Sequence, residues 1–277
     1  MTPPAMSDEA PKPRSGRDPL WLKFGAPLLI GLVVLAGWET MVRVKEIPWY
    51  ILPGPVAIGE TLIRDWHMLW PSLVNTLRVT ALALLVAVVG GFSLAILFAS
   101  ARWIELSLFP YAVILQVTPI VAIAPLIIVY VDNLTIALLI CAWIVAFFPI
   151  LSNTTIGLNS ADHNLLDLMR LYGAKRWQVL WFIRIPGALP FFLGGLKISG
   201  GLALIGAIVA EFVAGGAGSG SGLAFRILEA SYRLEIPRMY AALFLISTAG
   251  ILIFLFFTGL SNLLLRRWHE SAIRRET

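Results

Sequence analysis

The chain has 277 residues, 58% of them hydrophobic and only 13% charged, with a mean hydropathy of +0.84. A water-soluble domain of this size keeps roughly a quarter of its residues charged, so most of this surface is built to face something other than water. The formal charge of +5 does not mark a nucleic-acid binder, because the basic residues flank apolar segments, and the lone Cys141 excludes a disulfide framework or a thiolate metal site.

Residues 1–23 are rich in Pro, Ser and charge and read as a disordered tail, without the short apolar core and cleavage site of a secretory signal. The first apolar run follows, from about Phe24 to Val42. A mixed segment, Arg43 to Asn75, carries Leu52-Pro53-Gly54-Pro55 and a predicted surface helix around Ile58–Trp66. Further runs cover about Thr76–Ala101, Leu108–Val131, Leu134–Leu158, Ala188–Val213 and Met239–Leu265. At about 20 apolar residues per crossing, these predict an all-α membrane protein with six transmembrane helices over 24–265.

Lys and Arg set the orientation. With both termini cytoplasmic, the inner side holds Lys12, Arg14, Arg17, Lys23, Arg102, Arg170, Lys175, Arg176, Arg184 and the basic tail 266–277, thirteen basic residues in all. Six lie outside, and Arg78 and Lys197 fall within spans. Internal repeats are not evident.

The stretch 159–187, between the fourth and fifth spans, is too long for a plain connector. Asn159, Ser160, Asp162 and Asn164 can all cap a helix. Leu165, Leu168, Met169 and Tyr172 then form one apolar stripe at helical spacing. Gly173 is expected to end that helix in a left-handed conformation, and 174–180 to form a second short helix, so that the pair projects as a knob. Pro186 and Pro190 are expected to reset the chain before the fifth span.

Here the spacing is specific. Asp167-x5-Gly173-x9-Ile183-x-Ile185-Pro186 resembles the E-A-A-x3-G-x9-I-x-L-P signature of importer-type ABC transporter permeases, with Asp167-Leu168-Met169 in place of the opening triplet. Leu52-Pro53-Gly54-Pro55, Thr118–Leu126 with its two prolines, and Gly195-Leu196-Lys197-Ile198 through Glu211-Phe212 are similar to segments of the nitrate, sulfonate and taurine permeases. The third-span segment leans toward permeases for thiamine-precursor pyrimidines. The resemblance implies the type I importer permease fold, working as a homodimer in the inner membrane. It implies partnership with ABC ATPase subunits and an external solute-binding protein. It makes 159–187 a coupling loop whose contact residues are Asp167, Arg170, Gly173, Ala174, Lys175, Arg176, Trp177 and Pro186.

No Walker A pattern occurs, so no cofactor is expected in this chain and ATP with Mg²⁺ must be bound by the partner. The glycine run 215–222 follows an apolar helix and lacks a closing Lys-Ser or Lys-Thr, so it reads as an outer loop at the face where a binding protein docks. Gln116, Thr118 and Pro119 are candidates for the solute pathway, because an intramembrane proline frees a carbonyl. Lys197 and Glu211 are candidates as ionisable groups within an apolar run. Fourteen residues apart, they share a helix face but stand about 21 Å from each other, too far to pair. An ion-driven carrier would need carboxylates near the bilayer midplane, and Glu39 and Glu211 both lie toward span ends. No Ser/His/Asp or His/Glu constellation supports an intramembrane enzyme.

Overall fold

The computed structural model describes residues 20–215 and 221–266. The expected tails and most of the glycine run lie outside the described residues. Among those described, the chain is all helix and turn. The helices are α1 (Leu20–Val44), α2 (Pro55–Arg64), α3 (Trp66–Ser100), α4 (Arg102–Val117), α5 (Ile120–Tyr130) and α6 (Leu134–Asn159). They continue with α7 (His163–Leu171), α8 (Arg176–Val179), a π-helical turn (Leu180–Arg184), α9 (Ile185–Ala214), α10 (Leu223–Tyr232) and α11 (Ile236–Leu265). Five of these stretches are long and apolar enough to cross a bilayer, and a sixth crossing exists if α4 and α5 count as one bent span.

That bend departs from the single third span expected over 108–131. The two helices meet at 97°. Pro119 has no N–H to donate, and its ring drives Thr118 out of the helical region to ψ 123. Pro125, by contrast, is carried inside α5 without a break.

The core is the α6–α9 pair with α3 laid across it. Lipid tails are as apolar as leucine, so helices in a membrane associate through close packing, which favours small residues at the contact. Accordingly, a Cβ on Gly195 would meet the Pro149 carbonyl at 2.7 Å, and one on Gly206 would meet the Ala142 Cα at 2.9 Å. Ser199 donates to the Ala146 carbonyl at 2.6 Å, satisfying a hydroxyl that hydrocarbon cannot. Around this pair sit the fully buried Ile150, Leu151, Leu158, Ala203 and Ala207.

Much of the surface away from this pair is apolar. In α1, Leu28, Leu29, Ile30, Leu32 and Val33 are all exposed. This helix touches the rest of the chain through α2 and through Trp38, whose ring lies 6.1 Å from that of Tyr240. One end of the bundle carries the knob made by α7 and α8. The other carries the two short lateral helices α2 and α10.

Candidate functional site: the knob, the broken span and the outer corner

The knob is built almost wholly from local contacts. Asp162 caps α7 by accepting the Asn164 N–H at 2.9 Å. The helix ends at Gly173, which takes φ +66, while the Gly173 N–H donates to Arg170 O and the Ala174 N–H donates back to Met169 O. These two bonds satisfy carbonyls that a helix end otherwise leaves bare. Gln178 then accepts the Lys175 backbone N–H at 2.7 Å and fixes the start of α8. Arg170 pairs with Asp167 at 2.9 Å on an exposed face. Leu165, Leu168 and Tyr172 are 47% to 81% exposed, Met169 is half-buried, and Trp177, also exposed, lines a cavity with Ala99, Ser100 and Leu166. Three of the four residues of the expected stripe, Leu165, Leu168 and Tyr172, thus form an exposed apolar surface.

Pro186 does not reset the chain as expected. Helix runs unbroken from Arg176 to Ala214, a single stretch of 39 residues. The π-helical turn at Leu180–Arg184 widens the backbone where the Pro186 ring would otherwise crowd the preceding carbonyl. Arg184 reaches across to donate to Ala99 O at 3.0 Å, capping the adjacent end of α3.

At the α4–α5 break, Gln116, Thr118 and Pro119 line a cavity of about 340 Å³ with Ile144, Val145, Pro149 and Leu202. Among the described residues, its walls carry no charged side chain. The Thr118 hydroxyl is already donated to Ile114 O at 2.7 Å, which leaves the Gln116 amide as the free polar group. Lys197 and Glu211 are not among the lining residues. The Lys197 ammonium lies 4.2 Å from the ring centroid of Phe254 on α11, a cation–π contact.

Glu211 sits at the far tip of α9, 3% exposed, and forms no ion pair among the described residues. Thr76 of α3 reaches its Oε1 at 2.8 Å, and the Ala224 N–H of α10 donates to its Oε2 at 3.1 Å. The Leu223 N–H donates to the same Thr76 hydroxyl at 2.9 Å. The N-cap position of α10 is Gly222, which has no side chain to offer, and a Cβ there would fall inside the Glu211 carboxylate. Glu211 and Thr76 thus cap α10 from outside its own segment, meeting N–H groups that the helix start otherwise leaves bare.

The same construction recurs at α2. Its N-cap is Gly54, and Glu39 near the end of α1 accepts the Val56 N–H at 3.2 Å. Glu39 differs in also pairing with the exposed Arg43. α2 is also tied to α11, because Asp65 at the end of α2 accepts from Arg238 at the start of α11 at 2.6 Å. Burial pushes the Asp65 carboxyl up, but hydrogen bonds from Arg238 and Arg64 outweigh it and hold the group below the ordinary aspartate range. Arg226 joins α10 to α3 through the Ser72 hydroxyl at 3.0 Å and pairs with Glu229.

Residues 66–270 match the family described as binding-protein-dependent transport system inner membrane component. The chain belongs to that family. Among similar permeases is the riboflavin transport system permease of Chloroflexus aurantiacus, 33% identical over 95% of this chain and 96% of the relative. Another is the formylaminopyrimidine transport permease of Halalkalibacterium halodurans, 30% identical over 86% and 94%. Permeases named for aliphatic sulfonates and for taurine also match, each at 28% identity. A solved structure of an amino acid ABC transporter shares the fold, with a TM-score of 0.60 over 75% of this chain and 97% of the other, at 19% identity. The chain is a multi-pass ABC permease subunit of the type I importer fold.

Sequence reading missed Thr76, Gly222, Asp65 and Arg238. The available signal was an absence: two amphipathic lateral helices begin on glycine, with no Ser, Thr, Asp or Asn at the N-cap, so their caps had to come from elsewhere.

Proposed function

We propose that this permease subunit passes a small solute inward by alternating access, driven by a separate ATPase that grips the knob. The observation that carries the reading is the knob itself. It is held rigid by its own backbone bonds, three residues of its apolar stripe are exposed, and it stands at the root of a continuous helix of 39 residues. A chain without a nucleotide site receives work through a rigid contact, and this is such a contact. ATP and Mg²⁺ belong to that partner, not to this chain. The knob end is cytoplasmic, as the basic residues require, and α2 and α10 face a solute-binding protein outside. The apolar faces of α1, α3 and α11 meet lipid and a second copy of the chain in the inner membrane.

The solute is a neutral or weakly charged nitrogen heterocycle rather than a sulfonate-type anion. The cavity at the α4–α5 break supports this, having apolar walls, one free amide and, among the described residues, no cation. The relatives named for riboflavin and for formylaminopyrimidine point the same way.

Co-purification tests the function. The chain should draw out a stoichiometric ATPase, and the reconstituted complex should hydrolyse ATP where the pure subunit does not. ATP hydrolysis by the pure subunit, or solute accumulation without any ATPase, would overturn the reading. For the solute, the companion binding protein should bind riboflavin or a pyrimidine and leave taurine unbound.

A further inference from the structure

We propose that Glu211 is a positioning residue that makes α10 and the knob two ends of one lever, so that movement at either end is felt at the other. This rests on the proposed coupling of the knob to an ATPase. The helix from Arg176 to Ala214 runs from one to the other, with one π-helical turn and no break, and α3 lies beside it, meeting α10 through Ser72 and Thr76. At about 1.5 Å per residue the Arg176–Ala214 helix is about 58 Å long. A long helix transmits displacement only to what is fixed to its ends. At the knob end that fixation is covalent and immediate. At the far end, residues 216–220 separate α9 from α10 along the chain, and the Glu211 carboxylate is the direct hydrogen-bond link from the helix tip to the α10 N-terminus, beside apolar packing that includes Ile208 and Leu223.

Three features fit a built joint. Glu211 is buried without a cation, an arrangement that costs several kcal/mol in an apolar setting unless hydrogen bonds meet it, and here Thr76 and Ala224 do. Gly222 leaves the space that the carboxylate occupies. The distal end of α10 offers a surface to push on. Tyr232 is 80% exposed, and Leu234, 67% exposed, is held at φ +57, a conformation that non-glycine residues keep only where the surroundings impose it.

Glu39 supplies an internal control. It caps α2 with the same chemistry, but among the described residues α1 packs mainly on α2, at the end of the bundle away from the knob.

The test is hydrogen exchange on peptides covering 222–232 in the intact permease–ATPase complex, with and without MgADP–vanadate. In the unmodified complex, trapping the ATPase should change exchange in α10. Glu211→Ala should raise baseline exchange at the α10 N-terminus about fivefold, as expected for a lost cap, and abolish the response to vanadate. Glu211→Ala with Gly222→Asp should restore the baseline, since Asp supplies a local N-cap in the space vacated, yet leave the response absent. That separates a joint from a cap. Glu39→Ala should keep the response. A response that survives Glu211→Ala, returns with Gly222→Asp, disappears in Glu39→Ala, or never occurs in the unmodified complex overturns the proposal. Failure to recover any ATPase with the chain would instead sink the proposed function.

Discussion

The knob and the outer corner sit at opposite ends of one helix and are held by opposite means. In the knob, every bond that shapes the corner spans five residues or fewer, and the side chains around it are exposed. At the outer corner, the decisive bonds join residues 135, 147 and 173 positions apart, and the groups that make them are buried or half-buried. A locally closed structure keeps its shape while it is carried about, which suits a part that must seat in another protein. A structure closed by distant partners instead reports on how those partners stand to one another, which suits a joint. Coupling and stability should therefore fail separately in the two regions.

The largest effect is expected at Gly173. No atom lies within 4 Å of a Cβ placed there, so substitution is opposed only by the backbone. Gly173→Val should cost on the order of 1–3 kcal/mol locally and remove nearly all ATPase stimulation, with the spans inserted and the melting temperature of the bundle unchanged. Gly173→Asn should keep most of the activity, because Asn tolerates the left-handed region. If the two variants lose activity equally, conformation is not what the knob needs.

Thr76→Val should do the reverse. It leaves the Glu211 carboxylate and the Leu223 N–H each short of a partner, at about 1–3 kcal/mol apiece. Thermal unfolding in detergent should show a large drop in stability. An unaltered melting temperature would mean that the corner is not closed by these bonds.

Asp65 gives the pH dependence of the same region. Its folded pKa is depressed, so the stability it contributes is complete above the ordinary aspartate value near 4 and is lost as pH falls through the lower, folded value. Unmodified protein should lose stability over that acid range, and Asp65→Asn should lose about 2 kcal/mol at pH 7 while showing a flatter acid limb. Matching acid limbs would remove the Asp65–Arg238 tie from the account.

The smallest effect belongs to charges on the knob. Arg176→Glu reverses an exposed cation, and exposed pairs are worth about 0–1 kcal/mol, so ATPase stimulation should fall several-fold at most. A loss as complete as that of Gly173→Val would make the contact electrostatic and not geometric.

The sequence alone determined the membrane class, the span positions to within a turn at most ends, and the two short helices of the knob with their left-handed glycine corner. These follow from composition, from apolar runs and from a glycine whose role is settled by its nearest neighbours. The third span was read as one helix because apolar runs report burial and not direction; Pro119 signalled a disturbance, but only its packing set a 97° break. Lys197 and Glu211 were read together because they lie on one apolar run. The fold turns Lys197 toward Phe254 and seats Glu211 beneath α10. Nothing in the order of residues says that Thr76 meets Leu223 or that Asp65 meets Arg238, since chain separation carries no information about which distant groups a closed bundle brings within 3 Å. Buried polar groups must find partners, and only the tertiary structure decides which ones they find.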